Sequence, residues 1–201
     1  MKLAILETGV APGDLPDTFG RYDDMFRRML GDGFGYQTFR VFEGDFPTDP
    51  AAFDGVLLTG SPAGVYAGLA WIADLEALLR RAAGQTRIAG ICFGHQVMAS
   101  AFGGEVIQSP KGWGLGLHTY EVQQRTPWMD DAATISVPVS HQDQVVRRPD
   151  SARVIAASEF TPNGALEYTE FPAISFQCLP EFEPAFARAL NDLICRPSEL
   201  K

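Results

Sequence analysis

Chemistry is most visible around Cys92, in Arg87-Ile88-Ala89-Gly90-Ile91-Cys92-Phe93-Gly94-His95-Gln96. An apolar run ends in a turn flanked by Gly90 and Gly94, after which Val97, Met98, Ala101 and Phe102 continue at helical spacing. That order is a strand, a nucleophile and a helix, in which two glycines permit a tight turn lifting the side chain off the sheet. A cysteine so placed sits at a helix N-terminus, where unsatisfied N–H groups favour a thiolate, and the Phe93 N–H would face an oxyanion formed on attack. The motif is short, and an inert packed thiol fits it too. A second segment, Leu57-Leu58-Thr59-Gly60-Ser61-Pro62-Ala63-Gly64, puts a glycine-rich turn after another apolar strand, at the edge where open α/β sheets bind ligands. Gly60 would offer a second oxyanion N–H, although on loop chemistry alone a plain strand-to-helix loop over 60–68 is the better reading.

The elements that must carry these residues alternate between short apolar runs and amphipathic stretches, the pattern of an α/β protein around a largely parallel sheet. Strands are predicted over 2–6, 37–42, 55–59 and 87–91. Helices are predicted over 19–30, 71–83 (with Ile72, Leu75, Leu78 and Leu79 on one face) and from Cys92 through Phe102. From Glu105 the pattern turns to short β-rich pieces at 105–108, 117–123, 134–137, 153–157, 165–168 and 173–176, and a final helix spans 184–195. No repeat or linker divides the chain, so residues 1–201 read as one domain.

Composition narrows the function classes. Of 201 residues, 16 are basic and 25 acidic, a net charge of −9, and no basic stripe is gathered to neutralise phosphates, which disfavours nucleic-acid binding. Glu7 interrupts the N-terminal apolar run before a signal-peptide core could form, and no apolar run approaches a membrane span. The expectation is therefore a cytoplasmic protein away from membranes. Three cysteines, Cys92, Cys178 and Cys195, suit neither a disulfide framework nor paired zinc spacing. Cys178 is expected at a buried strand end and Cys195 in the core. Asp23-Asp24 and Asp130-Asp131 read as solvated faces or caps, and Phe19, Phe26, Phe34, Phe39 and Phe42 as core. No metal cluster, P-loop or dinucleotide fingerprint is present, so no metal or cofactor is expected.

Four motifs in order, Val56–Pro62, Gly90–Gln96, Ser140-His141-Gln142-Asp143-Gln144-Val145 and Phe176-Gln177-Cys178-Leu179-Pro180-Glu181-Phe182, resemble the class I glutamine amidotransferases, in particular free-standing proteins similar to the amidotransferase domain of GMP synthase. The resemblance implies a flavodoxin-like, three-layer α/β/α fold with a mostly parallel sheet and a small antiparallel portion in the C-terminal half. It also implies a Cys–His–Glu triad that cleaves the side-chain amide of glutamine, or of a γ-glutamyl compound, through a thioester. The released ammonia would pass to a synthetase, here a separate chain. Carried over by position, Cys92 is the nucleophile and Glu181 the orienting carboxylate. Gly60 and Phe93 are the oxyanion donors, and Gln96, Ser140, His141, Gln142 and Asp143 hold the substrate.

The position of the triad histidine is Leu179. An aliphatic side chain can neither take the thiol proton nor protonate the leaving ammonia, so the triad is incomplete. Of the three histidines, His95 is expected to be packed and hydrogen-bonded and His118 structural or exposed. His141, within the substrate motif, is the candidate substitute base. Two functions follow: a Cys92-dependent hydrolase impaired by the missing imidazole, or an inactive descendant that binds a metabolite or a protein partner. A third, a redox-sensitive or covalently modified Cys92, needs a depressed thiol pKa.

Overall fold

The structure, a computed structural model, describes residues 1–195. In chain order its elements are β1 (Lys2–Glu7), α1 (Leu15–Phe19), α2 (Tyr22–Leu30), β2 (Gly35–Arg40), β3 (Gly55–Leu58), α3 (Ala70–Ala82), β4 (Arg87–Ile91), α4 (Phe93–Ala101), β5 (Glu105–Gln108), β6 (Gly114–Val122), β7 (Thr134–His141), β8 (Asp143–Arg147), β9 (Ala152–Ala157), β10 (Ala165–Tyr168), β11 (Ala173–Phe176) and α5 (Pro184–Cys195). Nine strands form one sheet in the order β2-β1-β3-β4-β11-β10-β9-β6-β7. The first five run parallel, and from β11 outward the pairings are antiparallel. β5 and β8 pair separately as a two-stranded antiparallel ribbon.

Helices cover both faces of the parallel half, which is why β1 and β3 are apolar along their length instead of alternating. Ala4, Leu6, Val56, Leu58 and Ile88 pack against Leu75, Leu78, Leu79, Val97 and Met98 of α3 and α4. Ile5, Leu57 and Ile91 face the opposite way, onto Met25 and Phe26 of α2 and Phe186 and Leu190 of α5. The result is the expected three-layer α/β/α arrangement around a mostly parallel sheet. Among the described residues no helix is long and apolar enough to cross a membrane.

Several boundaries differ from the sequence expectation. The helix expected over 19–30 is two helices broken at Gly20, whose φ of +84° suits glycine, and Asp24 caps the second by accepting the Arg21 N–H at 3.0 Å. The strand expected over 37–42 starts at Gly35 and stops at Arg40, because residues 41–43 tighten into a 3-10 turn. β7 extends four residues beyond its expected end and β8 was not anticipated. Pro138 lies inside β7, which a proline tolerates here because β7 is the outermost strand. Cys195, expected in the core, is exposed: the buried stripe of α5 runs through Phe186 and Leu190, and Cys195 falls off it.

Candidate active site

The parallel strands β3, β4 and β11 end side by side, with Leu58 opposite Gly90 and Phe176 opposite Ile91. Their next residues, Gly60, Cys92 and Gln177–Glu181, therefore meet at one edge of the sheet. The turn between β4 and α4 is held from both sides. The Cys92 N–H donates to the Phe176 carbonyl at 2.8 Å, and the Gly94 N–H donates to the Thr59 carbonyl at 3.2 Å. Cys92 takes φ +54° and ψ −103°, the one non-glycine residue with positive φ among those described, a conformation costing roughly 1–3 kcal/mol. The flanking glycines are required by space. A Cβ at Gly90 would lie 2.6 Å from the Gly94 backbone, and one at Gly94 would lie 2.8 Å from both the Cβ and the carbonyl oxygen of Leu58.

Gly60 lies beside Cys92 and Leu179, and a Cβ there would make ordinary van der Waals contacts with both. A Cβ there would stand 3.7 Å from Cys92 Cβ and 3.6 Å from Leu179 Cδ2. Its peptide is oriented by the Thr8 and Thr59 hydroxyls, which donate to the Gly60 carbonyl at 2.8 and 3.0 Å. The Phe93 N–H favours the thiolate, but burial outweighs it and, with the Glu181 charge adding to the same effect, pushes the Cys92 thiol up to about 12. The low thiol pKa that the helix N-terminus suggested is thus not found, because one backbone donor does not offset removal of the sulfur from water.

Leu179 and Glu181 follow on the segment after β11, which the Leu179 N–H ties to the Pro138 carbonyl of β7 at 2.9 Å. Both are buried. Among the described residues neither oxygen of Glu181 has a hydrogen-bond partner, and burial raises its carboxyl to about 8, so it is predominantly neutral at pH 7. Leu179 packs with Cys92, Tyr22, Phe182 and Phe186 in the apolar cluster beneath the site.

A cleft of about 210 Å³ opens beside Cys92, lined by Ser61, Gly64, Tyr66, Gln96 and the segment Ser140–Asp143 among others. Its opposite walls touch where the Tyr66 hydroxyl donates to the Asp143 carboxylate at 2.7 Å. Gln96 donates to the Asp143 carbonyl at 3.0 Å, and Gln142 accepts from Gln108 at 3.0 Å. The Ser140 hydroxyl is buried without a partner. His141 Nδ1 lies 3.1 Å from the Asp143 carbonyl, which can only accept, so Nδ1 carries the proton and Nε2 is the basic nitrogen. That Nε2 is buried and has no partner among the described residues, and burial lowers the imidazole to about 4. His141 and Cys92 share the cleft without a hydrogen bond between them. His95 is packed as expected, its Nδ1 2.8 Å from Ser175 Oγ, and His118 is half-buried edge-on to Phe160. Cys178 is buried under Tyr120 and Ile155.

A larger apolar cleft of about 480 Å³ opens at the other end of the parallel strands, among Leu3, Leu57, Ala89 and Ile174. No Cys, Ser or Thr lines it, whereas Cys92 lines the smaller cleft. Among the described residues no three His, Cys, Asp or Glu side chains gather into a metal site.

The glutamine amidotransferase class-I family model matches residues 29–189. The chain belongs to that family. Gamma-glutamyl peptidase 2 of Arabidopsis thaliana is 31% identical over 151 residues, covering 71% of this chain and 61% of that protein, so the chain spans about three fifths of that relative's length. One subunit of the glutamine-hydrolysing GMP synthase of Ignicoccus hospitalis is 31% identical over 172 residues, 82% of this chain and 85% of that one. Among solved structures, a glutamine amidotransferase from Thermotoga maritima has a TM-score of 0.78 at 19% identity, covering 98% of this chain and 85% of that one, a likeness of fold.

Within this class I amidotransferase frame two contacts were not foreseen from the sequence. Tyr66 closes the cleft against Asp143, and Gln177 reaches the Cys92 sulfur at 3.8 Å. Gln177 stands inside a motif already singled out, but a glutamine in a strand-end motif carries no signal of its own. Only the fold brings it to the sulfur.

Proposed function

We propose that the chain binds a γ-glutamyl compound, glutamine or a γ-glutamyl amide, in the Cys92 cleft and hydrolyses it through a Cys92 thioester, slowly for want of an imidazole at position 179. In that reaction the sulfur bonds to the γ-carbonyl carbon, the oxyanion is received by the N–H groups of Gly60 and Phe93, and the C–N bond breaks to release ammonia from glutamine or the amine of a γ-glutamyl amide. Water then cleaves the C–S bond to give glutamate and restore the Cys92 thiol. The thiol proton must leave before attack and a proton must reach the departing nitrogen, tasks that a general acid–base accelerates by ~10²–10⁴. The observation that carries the reading is the convergence of Cys92, the Ser61–Gly64 turn and the Ser140–Asp143 wall on one small cleft, with Gly60 beside Cys92 and, among the described residues, no basic group hydrogen-bonded to the sulfur.

A second reading, an amidotransferase-like domain that binds its ligand or a protein partner without turnover, is favoured by the elevated Cys92 thiol and by a Leu179 packed against the site. Ammonia released from glutamine would be available to a synthetase. Recognition of the γ-glutamyl group is tested with a glutamine-mimicking electrophile. Labelling of Cys92, slowed by added L-glutamine, is expected. Labelling that glutamine does not slow, or none where plain iodoacetamide reacts, would contradict a γ-glutamyl pocket.

A further inference from the structure

Among the described residues one side chain hydrogen-bonds to the Cys92 sulfur, and it belongs to none of the roles assigned above. Gln177 is fully buried at the end of β11, with its Nε2 at 3.8 Å from Cys92 Sγ. Its orientation follows from a chain of complementary groups. The Asp143 carbonyl can only accept, so Gln96 turns its amide nitrogen toward it, at 3.0 Å. That nitrogen also faces Gln177 at 3.2 Å, so Gln177 turns its oxygen to Gln96 and its N–H to the sulfur. Reversing the Gln177 amide would oppose two N–H groups at Gln96 and set an oxygen against the sulfur lone pairs.

We infer that Gln177 is a positioning residue for Cys92: its side-chain N–H, aimed by Gln96 and the Asp143 carbonyl, stabilises the thiolate form of the sulfur where no imidazolium does. A thiol sulfur is a weak acceptor and a thiolate a strong one, so this hydrogen bond strengthens on ionisation and favours it. Gln96 is then part of the same device. Both of its amide hydrogens are committed to Asp143 and Gln177, which leaves its Oε1 as the atom able to accept from a ligand. The inference rests on Cys92 being the nucleophile of the proposed site, but not on turnover.

The test is the rate of Cys92 alkylation across pH 6–9 with two small reagents, iodoacetamide and methyl methanethiosulfonate. Modification is read on the Cys92 peptide by mass spectrometry, so that exposed Cys195 does not contribute. Gln177→Met, which keeps the length and removes the donor, is expected to slow both reagents about tenfold, the effect of one unit in thiol pKa. Gln177→Glu is expected to slow them further, because a carboxylate disfavours a neighbouring thiolate. Gln96→Met, which leaves Gln177 in place but unaimed, is expected to slow both by a smaller factor, and it carries the test should the Gln177 variants not fold. Thiolate fraction scales both reagents alike, whereas altered access does not. Wild-type rates in the folded variants, or slowing with one reagent only, would overturn the assignment. Because nothing is turned over, failure here is distinct from failure of the glutamine-mimic labelling.

Discussion

Leu179 is aliphatic and leaves the buried Glu181 carboxyl without a hydrogen-bond partner among the described residues, and the consequences are electrostatic. A buried acid with no donor holds its proton, hence the rise of Glu181 to about 8 from an ordinary value of 4.5. The folded protein therefore binds one more proton than the unfolded chain between those two values, and stability falls as pH rises through that interval, by up to about 1.4 kcal/mol per unit. Glu181→Gln removes that dependence. The variant is expected to match the wild type in thermal stability near pH 4.5 and to exceed it near pH 8, measured by calorimetry at both. Equal stability at both values would place a donor on Glu181 that the structure lacks. His95 and His141, lowered by burial to about 3 and about 4, act with the opposite sign. Their stabilising effect as neutral rings is complete above about 6.5 and is lost as pH falls toward those values, with Glu181→Gln leaving it unchanged. The residue identities at 92, 179 and 181 were legible in the sequence. The protonation states were not, because they depend on what each group is buried among.

At the scale of elements, the β4–Cys92–α4 turn depends on two glycines for close approach, not for φ. Gly94 sits against Leu58 of the neighbouring strand, with its N–H on the Thr59 carbonyl, so that α4 can start directly over β3. Gly94→Ala pushes a methyl into the backbone of β3 and is expected to cost roughly 1–3 kcal/mol, measured by urea denaturation, together with slower labelling of Cys92. A neutral outcome would mean that α4 can shift freely against the sheet. The strand–helix alternation up to α4 could be read in advance because β1, β3 and β4 are short, largely buried apolar runs, whereas the edge strand β2 is mostly exposed and its bounds were read two residues late. The antiparallel part was harder. β7 exposes Thr134, Ile135 and Ser136 and contains Pro138, while β8 alternates buried Gln144 and Val145 with exposed Val146 and Arg147, so neither shows a clear period. The junction of β7 and β8 nevertheless supplies Ser140 to Asp143, and hence one wall of the cleft.

At the scale of the molecule, three chain-distant pieces arrive at one edge because β3, β4 and β11 are adjacent and parallel, and the β6–β7 hairpin bends its end onto them through the Leu179–Pro138 hydrogen bond. Motif order along the chain indicated the family and thereby this arrangement. What it could not indicate was that Gln177, and not a histidine, would be the side chain in contact with the sulfur. The molecule thus sets Cys92, the proposed nucleophile, with the Gly60 turn, the Phe93 N–H and the Ser140–Asp143 wall around an aliphatic residue, Leu179.

That account is tested most directly by steady-state ammonia release from L-glutamine, measured side by side for the wild type, Cys92→Ala and Leu179→His. The wild type is expected to release ammonia slowly and only with Cys92 present. Leu179→His, whose imidazole can donate to the unpartnered Glu181 oxygens, is expected to gain on the order of 10²–10⁴ in rate. Equal release by the wild type and Cys92→Ala, or a folded Leu179→His with no gain, would contradict it.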